Sequence, residues 1–382
     1  MDALDLIAAE YPAITLLCLT LMGACIGSFL NVVIYRLPLG LSVHRPSRSF
    51  CPKCKALIPW YHNIPLVSWV LLRGRSACCG QPISARYWLV EAACTALFFL
   101  MGWNFAYESL PTQLLLCGWC ACMLALLAMD WEQMVVHVPL ALLAAGCGVA
   151  AAWLDPQLTD PADTIRLFSE SGMETAGLAY PWSGLVWGVV GAGSGYLLFR
   201  LVALGGRLMF GRRSLHFAEP EEWQLRQEGE DIVLTVAGQR YLWTEVFPES
   251  SASIVLEDAV ATAVPEARGK IVLEEAALVL PDGTRKSLED YESLGGTCAG
   301  LSLERAAMGS GDPWLALAIG SVCGWQGIIF ALVGGSIIGL LFALLMRVRR
   351  GVPMPFGPSL ILAAYIWLLW GPQVLEAYLS LL

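Results

Sequence analysis

Charge is scarce in this sequence. Asp, Glu, Lys and Arg make up 14 % of its 382 residues, against 57 % hydrophobic. A soluble globular chain carries about a quarter charged residues, so a wholly soluble protein is excluded. Basic residues are missing from the amino-terminal flank "MDALDLIAAEYP", which holds Asp2, Asp5 and Glu10 instead. A cleavable secretory signal needs positive charge there, so the first apolar run is expected to stay as a membrane helix. There is also no internal repeat and no long low-complexity tract.

Long apolar runs fill the space that charge leaves. A helix needs roughly 18–20 apolar residues to span a bilayer. Eight runs approach or exceed that length: 12–35, 87–106, 112–129, 138–154, 182–204, 314–324, 327–346 and 358–381. The sixth is short, and it meets the seventh at Gly324-Trp325-Gln326-Gly327. The expected fold is an all-α polytopic membrane protein of about eight transmembrane helices. A small Cys-containing cytoplasmic loop domain and an inserted β-rich cytoplasmic module interrupt it. In domain terms, the first helix occupies 1–36 and the Cys-containing domain 37–85. Helices two to five occupy 86–213, the inserted module 214–304, and helices six to eight 305–382.

Lys and Arg set the orientation, because cytoplasmic loops collect them. Eight of them lie from Arg36 to Arg86. Arg200, Arg207, Arg212 and Arg213 follow the fifth helix, and Arg347, Arg349 and Arg350 the seventh. The loop 155–181 has one Arg and five acids. Eight spans with both ends outside put every basic cluster on the cytoplasmic side.

The net charge of −9 belongs to one segment. Residues 214–304 hold 18 acidic and 6 basic residues, a net of −12, and the remainder has a net of +3. Phosphate binding needs basic patches, so nucleic acid is excluded as a partner. "DIVLTVAGQRYLWTEV" is rich in β-branched and aromatic residues, and "KIVLEEAALVLPDGTRKSL" sets a Pro-Asp-Gly turn between two candidate strands. The segment carries no catalytic motif.

Acids are costly inside a membrane and are functional candidates there. Asp130 lies at the end of the third helix and Asp312 at the start of the sixth. Parity puts both at the cytoplasmic end. Two adjacent carboxyls hold one proton between them: one can take a proton from water, the other can protonate a peptide carbonyl. Blander roles stay open on spacing alone. Asp312 before Pro313 suits an N-cap with Pro at the first helical position. Asp130 suits a solvated interface residue, as does Glu132. His137 has no His or Cys partner at metal spacing and reads as an interfacial polar residue.

Of 13 cysteines, Cys18, Cys25, Cys94, Cys117, Cys120, Cys122, Cys147 and Cys323 lie in apolar runs and read as packing residues. Cys51, Cys54, Cys78 and Cys79 share the basic loop. Cytoplasmic thiols stay reduced, so two pairs there suit a structural tetrahedral Zn²⁺ site. A regular second Cys-x-x-Cys would need a cysteine at Ser76. A metal-free loop held by packing is the alternative.

Five ordered blocks carry a resemblance. They are "GSFLNVVIYRLP" at 27–38, "CPKC…IPWYHNIPLVSWVLLRGR…CGQPISARYWLVE" at 51–91, "MDWEQ", "MGSGD" and "MPFGPSLILAAYIWLLWG" at 354–371. Together they strongly resemble bacterial type IV prepilin peptidases, GxGD-type aspartic peptidases of the inner membrane. The resemblance implies Asp130 and Asp312 as the catalytic pair. It implies removal of the basic leader of prepilins or type II secretion pseudopilins after a glycine, on the cytoplasmic side. It also implies N-methylation of the new amine with S-adenosylmethionine, for which no binding residues are singled out.

Three sites, four residues in all, depart from the family pattern. Val136-His137 stand where Pro-Asp or Pro-Asn is usual, Trp314 where Lys is usual, and Ser76 where a cysteine is expected. The alternatives are a GxGD protease for other membrane substrates, a non-catalytic pilus or secretion scaffold, and an ion-coupled transporter. The transporter would need polar groups at mid-membrane depth, whereas both aspartates fall at helix ends. The acidic insert could attract a basic leader or bind a secretion partner.

Overall fold

The computed structural model describes residues 11–44, 51, 53–106, 108–159, 182–210, 212–228, 231–243, 253–262, 264–274, 277–291, 293–304, 309, 311–347 and 354–380. Asp2, Asp5, Glu10, Arg45, Arg48, Ser310, Arg349, Arg350 and most of the acidic loop 155–181 lie outside them. The chain divides into two compact units, residues 1–198 with 311–382 and residues 199–310.

The first unit is helical. Its elements are α1 (Pro12–Arg36), the short α2 (Val67–Leu71), α3 (Ala85–Asn104), α4 (Leu110–Gln133), α5 (Val138–Leu154), α6 (Trp182–Phe210, which runs into the second unit), α7 (Asp312–Leu345) and α8 (Gly357–Leu379). Start signals are local: Ser84 accepts from Arg86 N and Ser109 from Thr112 N, and Pro opens α1, α4 and α5. Among the described residues, four helices are long and apolar enough to cross a membrane: Pro12–Arg36, Leu110–Gln133, Trp182–Gly206 and Asp312–Leu345. Val138–Leu154 and Gly357–Gly371 are shorter apolar helices. These helices make it a membrane protein. The apolar window of α4 is 78 % buried, against 17–28 % for the other three, so α4 is the hub and the others turn a face outward.

α7 is not one rod. Gly324 has φ 63° and ψ −174°, a conformation closed to other residues, and the chain reverses there. A Cβ on Gly357 would lie 2.8 Å from Leu315 Cδ1, in the first arm. Cys323 Sγ lies 3.9 Å from Ala364 O, deeper along α8. Beyond the turn, a Cβ on Gly335 would lie 3.1 Å from Leu360 Cα, and one on Gly339 3.2 Å from Ser359 Oγ. Phe342 then stacks edge-on against Trp131, with ring centroids 6.0 Å apart. Both ends of α7 therefore meet the same end of α8, although a straight helix would separate them by about 45 Å. The sixth and seventh apolar runs of the sequence are two antiparallel arms, 312–323 and 325–345.

The first arm is held by backbone contact. A Cβ on Gly191 of α6 would strike Gly320 O, and one on Gly320 would strike Gly191 O. Only hydrogen on both sides allows this approach, which is how helices gain dispersion contact without a hydrophobic drive between them.

The second unit holds an eight-stranded antiparallel sheet of order β3-β2-β1-β8-β4-β5-β6-β7. Its strands are β1 (Arg212–Glu228), β2 (Asp231–Val236), β3 (Gln239–Leu242), β4 (Ile254–Ala261), β5 (Val264–Leu273), β6 (Ala277–Val279), β7 (Arg285–Ser287) and β8 (Ser293–Glu304). Ala237 and Gly238, both at positive φ, close the tight β2–β3 hairpin. The Pro-Asp-Gly turn joins β6 to β7, where the Thr284 amide hydrogen-bonds Asp282 Oδ1 at 2.9 Å and holds that carboxyl below its usual range. Trp223, Leu234, Ile254, Leu256 and Ile271 centre its core.

Prediction: Gly191→Ala lowers the thermal midpoint in detergent, at about 1–3 kcal/mol for a forced overpacking. Gly193→Ala, with open space around its Cβ position, leaves the midpoint unchanged.

Candidate active site and metal centre

Asp130 sits in the last turn of α4, which runs on to Gln133. Met134 ends the helix in the left-handed region (φ 54°) and returns its N–H to Asp130 O at 2.9 Å. Asp312 is the first residue of α7 and Gly311 is its N-cap. The N-cap reading of Asp312 is thus corrected by one residue: Gly311 already takes the capping position, and Pro313 is second in the helix. The solvated reading of Asp130 is corrected too. Asp130 and Asp312 are 6 % and 7 % exposed, enclosed by neighbouring helices.

Contacts bring the two acidic helix ends to one place. A Cβ on Gly357 would overlap Asp130 Oδ2 and lie 2.8 Å from Leu315 Cδ1, one turn after Asp312. On the other side, a Cβ on Gly311 would lie 2.5 Å from Val136 Cβ, six residues beyond Asp130. The first turn of α7, the start of α8 and the end of α4 thus pack on one another beside the Asp130 carboxylate. Gly357 and Leu315 were not singled out by sequence reasoning, whereas Val136 was, as part of a departure from the family pattern. Gly357 lay inside the quoted block "MPFGPS", and that block was the available signal.

The departures now have surroundings. Trp314 is two residues from Asp312, nearly opposite it around the helix. Its ring meets Tyr196 of α6 with centroids 5.0 Å apart. A cation missing from that position is missing from the α6 side. His137 is the N-cap of α5, and its Nδ1 is buried without a hydrogen-bond partner among the described residues. It belongs to no ligand cluster there. Glu132 is partly exposed as expected, but it pairs with Arg86 at the start of α3.

Two buried side-chain donors fix the three site helices to each other. Trp119 Nε1 of α4 donates to Ala318 O of α7 at 2.8 Å, and Tyr365 of α8 donates its hydroxyl to Cys120 O at 2.8 Å. The two rings meet edge to face at 5.8 Å. Such hydrogen bonds net about 1 kcal/mol each, and the ring pair about as much again.

The cysteine loop consists of two copies of one turn. Cys51 N bonds Ala56 O and Lys55 N bonds Cys51 O, both at 2.8 Å. Ser76 N bonds Gln81 O and Gly80 N bonds Ser76 O, again at 2.8 Å. Lys55 and Gly80 take matching positive φ of 60° and 67°. Ser76 is therefore the counterpart of Cys51, and Cys79 of Cys54. Cys78 fills the gap left by Ser76: all four Sγ atoms lie within 4.8 Å of one another. Cys51 and Cys79 are 3.8 Å apart and Cys54 and Cys78 3.2 Å. Tetrahedral Zn²⁺ with sulfur at ~2.3 Å separates ligands by about 3.8 Å, so the residues fit that ion. Backbone N–H groups of Cys54 and Lys53, then the Ser76 hydroxyl, lower the Cys51 thiol to about 6. The Ala56 N–H pulls Cys54 down as well, but the Cys78 thiol, burial and the other thiols outweigh it and push Cys54 up to about 12.

The chain matches two family descriptions, the Bacterial Peptidase A24 N-terminal domain over residues 21–105 and the Type IV leader peptidase family over residues 287–344. Asp312 lies within the second match, and Asp130 lies between the two. A prepilin leader peptidase/N-methyltransferase of Dickeya chrysanthemi is 35 % identical over 236 residues, covering 56 % of this chain and 74 % of that protein. The chain belongs to the prepilin leader peptidase/N-methyltransferase family. A member from Pseudomonas aeruginosa aligns over 100 % of this chain and 98 % of its own length at 24 % identity. One from Myxococcus xanthus is 52 % identical over 99 residues, 25 % of this chain and 29 % of that protein. The chain thus spans less than a third of the Myxococcus protein in that match. No solved structure matches the chain.

Prediction: Tyr365→Phe keeps the ring contact and loses one buried hydrogen bond. It is expected to cost about 1 kcal/mol, read as a lowered unfolding midpoint in detergent.

Proposed function

We propose that the chain is a membrane-embedded aspartic endopeptidase with Asp130 and Asp312 as its catalytic carboxyls. It removes the leader of type IV prepilins or type II secretion pseudopilins after a glycine. The observation that carries this is the meeting of the Asp130 carboxylate with the first turn of the Asp312 helix at Gly357. Two carboxyls at one buried site share a proton. The ionised one takes a proton from water as the water oxygen bonds to the scissile carbonyl carbon. The protonated one gives its proton to the carbonyl oxygen. Collapse of the resulting diol breaks the C–N bond, and the leaving nitrogen receives a proton. No covalent enzyme intermediate forms.

In this reading the chain crosses a bacterial inner membrane eight times, with α7 contributing two spans through its reversal at Gly324. Supporting it, Arg36, Arg86, Asp130 and Asp312 all stand at ends of helices that meet through the Asn31–Tyr87, Arg86–Glu132 and Gly357–Asp130 contacts. By the distribution of Lys and Arg that end is cytoplasmic. By the same distribution the acidic module, inserted between α6 and α7 in sequence, is cytoplasmic. N-methylation of the new amine is proposed on family membership, with S-adenosylmethionine supplying an electrophilic methyl group. Cys51, Cys54, Cys78 and Cys79 hold a structural Zn²⁺ that orders the loop.

Cleavage of a pilin precursor in liposomes, scored by mass, tests the peptidase. Asp130→Asn and Asp312→Asn are each expected to be dead, and Gly357→Ala, which keeps both carboxyls, to lose about tenfold or more through misplacement. Cutting by either Asn variant would remove the assignment. A single added methyl on the product, only with S-adenosylmethionine present, would establish the second activity.

For the metal, the purified chain is expected to carry one zinc, and Cys51→Ser to lose it. The paired change Ser76→Cys with Cys78→Ser is expected to keep the metal, because it restores the symmetric turn. Zinc-free protein with an ordered loop would reject the site.

A further inference from the structure

α2 is folded inside out for a segment in water. Val67, Val70 and Leu71 share one helical face and are 48 %, 56 % and 76 % exposed. The opposite face, with Ser68 and Trp69, is the one turned to the protein. The Ser68 hydroxyl accepts from Ile64 N at 2.9 Å, Trp69 Nε1 donates to Ile83 O at 3.3 Å, and the Trp69 ring meets Trp88 at 6.1 Å. Immediately upstream, Trp60 is 79 % exposed and Tyr61 53 %.

The depth of this face is fixed. Leu66 N–H donates to Glu91 Oε2 at 2.7 Å. Glu91 lies six residues into α3, roughly 9 Å along its axis. Trp69 likewise packs on Trp88. α2 therefore lies alongside the first two turns of an apolar helix, not beyond its end. Leu66 itself is held at φ 63° in a tight turn closed by Val67 N to Pro65 O at 2.6 Å, a strained conformation that the Glu91 bond maintains. Exposed Arg73 and Arg75 follow the apolar face directly.

We propose that this face, Trp60 to Leu71, is seated in the headgroup–acyl boundary of the membrane as an in-plane anchor for the cysteine loop. Trp and Tyr favour that boundary, a helix with one apolar face lies in its plane, and Arg73 and Arg75 reach anionic headgroups. The inference rests on the membrane reading but not on the peptidase assignment. The competing occupant is the apolar helix of a protein substrate.

The test is photo-cross-linking of the full-length protein in phosphatidylethanolamine/phosphatidylglycerol vesicles. The probe is p-benzoylphenylalanine in place of Leu71 or, separately, Val70. A third protein carries it in place of Leu340, on the outward face of the second α7 arm. Phospholipid-mass adducts at Leu71 and Val70, within about tenfold of the Leu340 yield, are the expected result. Adducts at Leu340 with none at Leu71 or Val70 would overturn the anchor. So would capture of added pilin precursor in place of lipid. Loss of lipid adducts at all three positions would overturn the membrane reading and the anchor with it.

Discussion

The arrangement depends on two hydrogen bonds to helix carbonyls, from the Trp119 indole to Ala318 and from the Tyr365 hydroxyl to Cys120. In an apolar interior an indole N–H or a phenol has no water to fall back on, and leaving either unpaired costs several times what the bond contributes. That asymmetry fixes the rotation and depth of three helices at once. Trp119 lies about three turns before Asp130 and Ala318 under two turns after Asp312. A slip of one turn at the carbonyl contacts would shift one helix end about 5 Å against the other. Groups other than the carboxyls thus set the position of the two helix ends.

The lock also dictates the shape of α7. Its first arm must pass close enough to α4 for an indole to reach a backbone carbonyl, which requires that nothing stand off on the α6 side. Gly191 and Gly320 meet there without side chains. The arm must then return, because Phe342 has to reach Trp131 at the end where the arm began. Gly324 supplies the one backbone conformation that turns it. The proposed carboxyl pair needs two helix ends at one level, and a short arm with a glycine turn delivers one of them.

Much of this was legible in the sequence, for physical reasons that differ between elements. Apolar runs and their breaks depend only on composition, so the break at Gly324-Trp325-Gln326-Gly327 fell where the chain reverses. The Pro-Asp-Gly turn was legible because its chemistry is local: Asp282 bonds the amide two residues on. Contacts made across the fold were not legible. Nothing near Gly357 in sequence says that Asp130 will lie against it. Likewise, Asp312 before Pro313 is a good N-cap pattern, yet Gly311 takes that role. The cysteine turns show the limit most sharply. Spacing marked Ser76 as a defect, while the backbone makes it the true counterpart of Cys51 and brings Cys78 in from two residues away.

Glu132 illustrates how a plain surface residue acquires meaning from its partner. As an exposed ion pair with Arg86 it adds little to stability, of order 1 kcal/mol at most. Its geometry matters more. Arg86 is the second residue of α3, and Glu91, five residues on, holds the strained Leu66 turn of the cysteine loop. Glu132 is two residues beyond Asp130. One short stretch of α3 therefore grips the loop with one side chain and the end of the Asp130 helix with another. In the proposed activity, the amine to be methylated is the one that hydrolysis releases beside the aspartates. A loop serving that second step has to be registered to the first, and α3 has side-chain bonds to both.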